Sequence, residues 1–307
     1  MKYTNNHGLP EALVNALKHD DYDSEGSYVT ASGIMLPPRI RILRRQHRHE
    51  MIEDVSERLW ILFGKSAHRV IELAKSNDIR EHRVSAEIAG VKVSAQLDNL
   101  FLSLEKSILS DYKLTSVYAV TDDVKPEWEA QLNTTAYLLL LSEYMVHDDM
   151  RLEIVAMLRD WRFGESLKGR YPAAQVKVVP VDNWGWGKQQ HFIIDRVHLY
   201  KDAEAAFKLN GTLPACTDDE RWAKPTKYAV MKKGNKQACR GGVKDTRAEA
   251  EAFVKGHKEE AKLWIEERPG EFVRCARYCD CLPWCGQSAE IYEAVQQDPQ
   301  SKWYKGE

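Results

Sequence analysis

The stretch from Val84 to Val120 constrains the fold of this 307-residue chain more tightly than any other. Val84, Ala86 and Ile88 alternate with polar residues, Ala89-Gly90 supplies a turn, and Val91, Val93, Ala95 and Leu97 alternate again. Alternation sends every second side chain to the same side, so the segment predicts a β-hairpin with one buried face. A third strand-like run, SILSDYKLTSVYAV, follows, and Pro126 closes the region. From Glu127 to Met145 the chain is dense in Leu and Ala and reads as a helix.

The flanks extend this pattern. From Arg48 to Lys75, Ile52, Val55, Leu59, Leu62 and Phe63 recur at three- and four-residue spacing, the period of a buried helix face. Arg151 to Asp160 and VKVVPV read as further strands, and IIDRVHLYKDAEAAFKLNG as a helix stopped at Asn210-Gly211. Past Pro214 the character changes to a Lys-rich hairpin, KYAVMKKGNKQACRGG, a charged helix from about Asp245 to Glu267, and a cysteine cluster. A boundary near residue 211 is therefore expected. Residues 1–211 would form a core with an N-terminal helical segment, and 212–307 a smaller segment packed on it.

The longest apolar stretch, Tyr137 to Leu141, is too short to span a bilayer, and MKYTNNHGLPEALVNALKHDD has no signal-type apolar run. A soluble cytoplasmic protein without membrane contact is expected. The net charge of −2 does not advertise nucleic acid, but local patches decide binding. In PRIRILRRQHRH, Arg39, Arg41, Arg44, Arg45 and Arg48 form such a patch, readable as a DNA contact or as a solvated helix face. A second basic stretch runs from Lys224 to Arg247.

Chemistry concentrates around the hairpin. Asp98 ends its second strand, Asp111 lies in the next strand, and Lys113 stands two residues beyond, on the same face as Asp111. Two converging carboxylates suit a hard divalent cation, and an adjacent ammonium can orient a water or neutralise a phosphate. Other acid-x-Lys triplets, Asp123-Val-Lys125 and Glu260-Ala-Lys262, fall in a loop and in a polar helix. An ordinary edge strand with solvent-facing charges is the competing reading of Asp111 and Lys113. His68 and Glu72 share a helix face in GKSAHRVIE, and Gln131 opens the apolar run of WEAQLNTTAYLLLL.

The order G-x-x-x-H, Asp, D-Y-K, then a helix with Q-L resembles the RecB-type branch of the PD-(D/E)XK nucleases, which includes phage-encoded and CRISPR-associated exonucleases. The resemblance covers about Gly64 to Leu141, with a weaker extension to Gln287 through the cysteines. It implies an α/β fold: a restriction-endonuclease-like core with a mixed central β-sheet flanked by helices, and a C-terminal cysteine-stapled segment. It also implies that Asp98, Asp111 and the main-chain carbonyl of Tyr112 bind Mg²⁺ or Mn²⁺, with His68 as an added ligand. Lys113 would be the catalytic lysine and Gln131 its positioning partner. The family's Tyr four residues after this Gln is Thr135 here, and Tyr137 follows two residues later.

Six cysteines in a chain without a secretion signal argue for a metal rather than disulfides. RCARYCDCLPWCGQ holds Cys275, Cys279, Cys281 and Cys285, and a four-thiolate site needs Cys216 as well if one of these stands aside. By the resemblance, Cys216, Cys275, Cys279 and Cys285 would hold a [4Fe–4S] cluster, with Zn²⁺ as the alternative, and Cys239 would be a spare small hydrophobe. In the family the first cysteine often precedes the nuclease core; here none precedes Cys216.

The sequence thus leads to a metal-dependent DNA nuclease of phage or mobile-element type. It would be an exonuclease or end-processing enzyme acting on single strands or duplex ends, with a phage or host recombination protein as partner. A non-catalytic DNA-binding module stabilised by a cysteine-bound metal is the alternative, and a hydrolase of small phosphate esters a third.

Overall fold

The computed structural model describes residues 1–20, 23–121, 123–167, 171–258, 260–298 and 301–304. The first elements in chain order are β1 (Lys2–Thr4), α1 (Glu11–Lys18), β2 (Val29–Thr30), α2 (Pro38–His47) and β3 (Ile52–Asp54). There follow α3 (Leu59–Glu72), β4 (Ile79–Ile88), β5 (Val91–Leu102), β6 (Ser107–Thr115) and α4 (Pro126–Leu140). Then come β7 (Arg151–Leu158), α5 (Phe163–Ser166), β8 (Val176–Val181) and α6 (Trp186–Asn210). The remainder is β9 (Ala223–Lys224), β10 (Lys227–Lys232), β11 (Ala238–Lys244), α7 (Arg247–Lys255), β12 (Leu263–Arg268), β13 (Glu271–Phe272) and α8 (Ala289–Gln296). These elements group into two compact units, one of Met1–Leu36 with His49–Thr212, the other of Pro37–Arg48 with Leu213–Glu307. The helix α2 thus groups with the C-terminal residues, whereas the sequence pattern assigns it to the segment 1–211.

The first unit is a mixed α/β structure around a six-stranded sheet, as expected. β4 and β5 form the hairpin over a turn in which Ala89 (φ 50°) and Gly90 (φ 72°) are both left-handed, as a two-residue hairpin loop requires. The other edge of β5 takes β2 in parallel near its start and β6 antiparallel near its end. β6 pairs in parallel with β7, and β8 closes the sheet antiparallel to β7. Pro180, which cannot donate to a ladder, is tolerated because β8 is an edge strand. The apolar positions of the sheet and of α4 and α6 (Leu97, Leu100, Leu109, Leu138, Ile154, Ile193 among them) make one buried core.

Two helical expectations change. The run 48–75 is not one helix: β3 pairs in parallel with β1, and the Asp54 carboxylate caps the turn that follows by accepting from Ser56 N at 3.0 Å. Only Leu59–Glu72 is α-helical, none of its residues is buried, and Leu59 and Phe63 are exposed. Of the spaced residues, Val55 and Leu62 pack with Val14 and Leu17 in a small separate cluster. The charged run 245–267 also divides. α7 ends at Lys255, and Leu263–Arg268 is a strand whose backbone pairs with β10.

The second unit contains a three-stranded sheet, β11-β10-β12, with α7 packed on it and held by a Thr246–Glu249 capping box. β9 and β13 form a short antiparallel pair. No described helix is long and apolar enough to cross a membrane.

The loop before α2 is tied to α6 by a buried hydroxyl. Tyr200, fully buried, lies 2.7 Å from the Ile34 carbonyl and 2.8 Å from that of Leu36, and Arg196 donates to its oxygen at 3.0 Å. Tyr200→Phe strips these groups of a buried donor without changing the packed volume. It is expected to lower unfolding free energy by about 1–2 kcal/mol in urea titration. An unchanged midpoint would show that the hydroxyl carries no stability.

Candidate active site

The sheet register brings the chemistry together. β5 and β6 pair antiparallel through Asn99 and Ser110, so the next residues outward, Asp98 and Asp111, stand side by side. Asp98 Oδ2 accepts the main-chain N–H of Tyr112 at 2.7 Å, which fixes its carboxylate against β6. Asp111 is 5% exposed. Its Oδ1 accepts from Gln131 Nε2 at 2.7 Å, and its Oδ2 forms a 2.8 Å ion pair with Lys113 Nζ. Lys113 Nζ also donates to Gln131 Oε1 at 3.2 Å. Gln131, near the start of α4, therefore clamps both Asp111 and Lys113.

His68 reaches in from α3. Its Nε2 lies 3.2 Å from the Tyr112 carbonyl, its Nδ1 3.0 Å from Glu81 Oε1 and 3.6 Å from Asp98 Oδ1. The structure thus gathers His68, Asp98, Asp111, Tyr112, Lys113 and Gln131, all six residues that the sequence points to, at one place. Glu72, which shares the His68 helix face, pairs with Arg69 instead. Thr135, at the position of the family's Tyr, bonds back to the Gln131 carbonyl at 2.9 Å, and Tyr137 is buried in the core.

Glu81 is the residue the sequence reading misses. Counting back from the Ala89-Gly90 turn, it is the cross-strand position opposite Asp98, so hairpin register alone could have found it. Among the described residues, His68, Glu81 and Asp98 are the group whose metal-ligating atoms lie within 4.8 Å of one another.

The electrostatics fit a cation. Burial, and then the neighbouring Asp111 charge, push the Asp98 carboxyl up to about 7; His68, Lys113 and the Tyr112 N–H oppose this. The hydrogen bond to Glu81 raises His68, against burial. Two acids held out of water beside a main-chain carbonyl and an imidazole form a donor set suited to Mg²⁺ or Mn²⁺. The site opens into a groove of about 940 Å³ whose walls include Lys65, Arg69 and Arg83.

The cysteines lie in the second unit. Cys216, Cys275, Cys279, Cys281 and Cys285 line one cavity together with Ile40, Leu43 and Leu282, and all five are free thiols. The Gln287 side chain accepts from Cys216 N and donates to Cys216 O, both at 2.8 Å. The Ser288 hydroxyl donates to Cys275 at 3.5 Å. A hydrogen bond from Cys281 pulls Cys279 down to about 7, while burial pushes Cys216 up to about 12. Cys239, on β11, is not among the cavity residues. Of the arginine run, Arg39 donates to the Leu213 and Pro214 carbonyls (3.0 and 2.8 Å), and Arg44 pairs with Asp280 at 2.8 Å. These two guanidiniums serve the packing of their own unit.

No family model and no curated protein matches the chain. Among solved structures, the protein SSO0001 aligns at 14% identity and TM-score 0.42, over 62% of this chain and 85% of that one. LHK-Exo in complex with dAMP aligns at 14% identity and TM-score 0.31, over 64% and 95%. The alkaline exonuclease LHK-Exo from Laribacter hongkongensis aligns at 15% identity and TM-score 0.32, over 59% and 93%.

The raised Asp98 carboxyl sets a pH dependence. The folded protein holds this proton more tightly than the unfolded chain, whose Asp titrates near 3.9. The resulting stabilisation is fully present below about 4 and is lost as pH rises through about 7. In metal-free protein, the Tm difference between wild type and Asp98→Asn should therefore drift against wild type over that window. Mn²⁺ affinity should rise over the same range in wild type, because the ion displaces the proton. A constant Tm difference from pH 4 to 7 would contradict this assignment.

Proposed function

We propose that the protein is a divalent-metal-dependent deoxyribonuclease of the RecB-type PD-(D/E)XK kind, acting as an exonuclease or end-processing enzyme. One observation carries the reading: two buried acids on adjacent strands, Asp98 and Asp111, share a site with Lys113, and Gln131 fixes Asp111 and Lys113 together. A solvent-facing edge strand needs no such clamp, and a binding module has no use for clustered carboxylates beside a polyanion.

Asp98, Asp111 and the Tyr112 carbonyl would hold the metal, with His68 as a nitrogen ligand. The ion, once bound, supplies Lewis-acid polarisation of the scissile phosphate and lowers the pKa of bound water. Lys113 contributes an ammonium held at the site by Gln131, able to orient a water for in-line attack or to neutralise charge developing on phosphorus. Gln131 touches both the lysine and Asp111, and so fixes their relative positions. Lys65 and Arg69, paired with Asp20 and Glu72, line the groove and are proposed as contacts for the flanking phosphates. Arg41 and Arg45 of α2, and Arg48 just after it, are proposed as further DNA contacts.

Asp111→Ala, Asp98→Ala and Lys113→Ala should each reduce cleavage of end-labelled DNA by at least about 100-fold, with the fold intact by circular dichroism. The imidazole ligand favours Mn²⁺ over Mg²⁺, and His68→Ala should narrow that preference. Full turnover in folded Asp111→Ala would end the nuclease reading. DNA binding without any cleavage by wild type in either metal would favour the binding-module alternative.

For the second unit we propose a four-thiolate metal site at Cys216, Cys275, Cys279 and Cys285, holding a [4Fe–4S] cluster. Five cysteines line one cavity, enough thiolates for a [4Fe–4S] cluster or for tetrahedral zinc, the alternative. Such a site would be structural, since phosphodiester hydrolysis has no redox step, and would add to folding free energy. Iron and sulfide content of anaerobically purified protein checks it. Cys216→Ala, Cys275→Ala, Cys279→Ala and Cys285→Ala should each lose the visible absorbance, while Cys239→Ala keeps it. Loss in Cys281→Ala with retention in Cys279→Ala would reassign the fourth ligand.

A further inference from the structure

Glu81 occupies a backbone conformation that a strand residue with a side chain rarely adopts. Its φ is 45°, in the left-handed region, in the middle of β4. The pairs on either side, Arg80 with Asn99 and His82 with Leu97, are regular, and the pairing lapses only at Glu81 and Asp98. Strain of this kind persists where the surrounding structure over-determines it, and here it re-aims one side chain towards the site.

Both oxygens of the Glu81 carboxylate are engaged. Oε1 lies 3.0 Å from His68 Nδ1. Oε2 accepts from Gln96 Nε2 at 2.9 Å, and Gln96 Oε1 accepts in turn from Arg83 Nη2 at 3.0 Å. Arg83 Nη1 is anchored on Ser94 Oγ at 3.1 Å. The carboxylate therefore sits at the end of a chain of side chains rooted in β4 and β5, and faces the Nδ1 edge of the imidazole, where Asp98 Oδ1 also lies at 3.6 Å. The other ring nitrogen, Nε2, lies 3.2 Å from the Tyr112 carbonyl.

From this arrangement we propose that Glu81 is a positioning residue. It accepts the Nδ1 proton of His68 and so turns Nε2 towards an ion held by Asp98, Asp111 and the Tyr112 carbonyl. The inference rests on the metal-site reading above. A histidine that ligates a metal through one nitrogen characteristically donates its other N–H to a carboxylate, which fixes tautomer and ring orientation and raises ligand basicity. The competing role, Glu81 as a ligand in its own right, would require Oε1 to leave His68 for the ion.

A double-mutant cycle on Mn²⁺ affinity separates the two roles. Calorimetric titration of MnCl2 into the full chain compares wild type, His68→Ala, Glu81→Gly and the double variant. Glycine adopts a φ of 45° without strain, so Glu81→Gly tests the carboxylate and not the backbone. The expected loss in Glu81→Gly is about 10- to 100-fold, matching that of His68→Ala, with no further loss in the double variant. Glu81→Gln, whose amide oxygen still accepts the Nδ1 proton, should recover most of the affinity. Additive losses would overturn the positioning role by making Glu81 an independent ligand, and unchanged affinity in Glu81→Gly would overturn it outright. Cleavage of end-labelled DNA by wild type is measured in parallel. Mn²⁺ binding without cleavage refutes the nuclease reading while leaving the Glu81 cycle decisive, and no Mn²⁺ binding by wild type overturns both.

Discussion

Two carboxylates held out of water on neighbouring strands repel each other, and the architecture of the site answers that repulsion. Asp98 is stabilised by a main-chain N–H and by the nearby His68 and Lys113, Asp111 by an amide and an ammonium. These partners compensate Asp98 incompletely, so its carboxyl rises to about 7, where a cation would lower it. Each supporting element has a part in this. The β5–β6 register sets the two acids side by side, and α4 supplies the Gln131 clamp. From α3 comes an imidazole, and the β4–β5 hairpin contributes the carboxylate at its Nδ1.

Parts of this arrangement were legible in the sequence because they follow from period and spacing. The alternation around Ala89-Gly90 fixed the hairpin, and the i, i+2 relation of Asp111 and Lys113 put both on one face. Glu81 was missed although the same register places it opposite Asp98. The register gives its position, but an alternating strand carries no signal that the Glu81 backbone turns left-handed. The helix expected over 48–75 holds only over Leu59–Glu72, for a related reason. Apolar spacing reports helical period but not what covers the face, and Asp54 ends the strand and starts a new turn inside that stretch.

The arginine run shows the limit of charge counting. Arg39 and Arg44 are engaged with carbonyls and a carboxylate of their own unit, at partners 174 to 236 residues away in sequence. Nothing local distinguishes them from Arg48, which is exposed. The cysteines are the opposite case. Their clustering was legible, and five of them line one cavity, yet the pairing of Cys279 with Cys281 and the Gln287 tie to Cys216 depend on tertiary placement.

The central claim is that a divalent ion belongs between Asp98, Asp111 and the Tyr112 carbonyl. Anomalous scattering from a crystal soaked in MnCl2 tests it most directly. A manganese peak is expected within bonding distance of both carboxylates and that carbonyl, with His68 Nε2 completing the set. A peak elsewhere, or none at this position at saturating Mn²⁺, would contradict it.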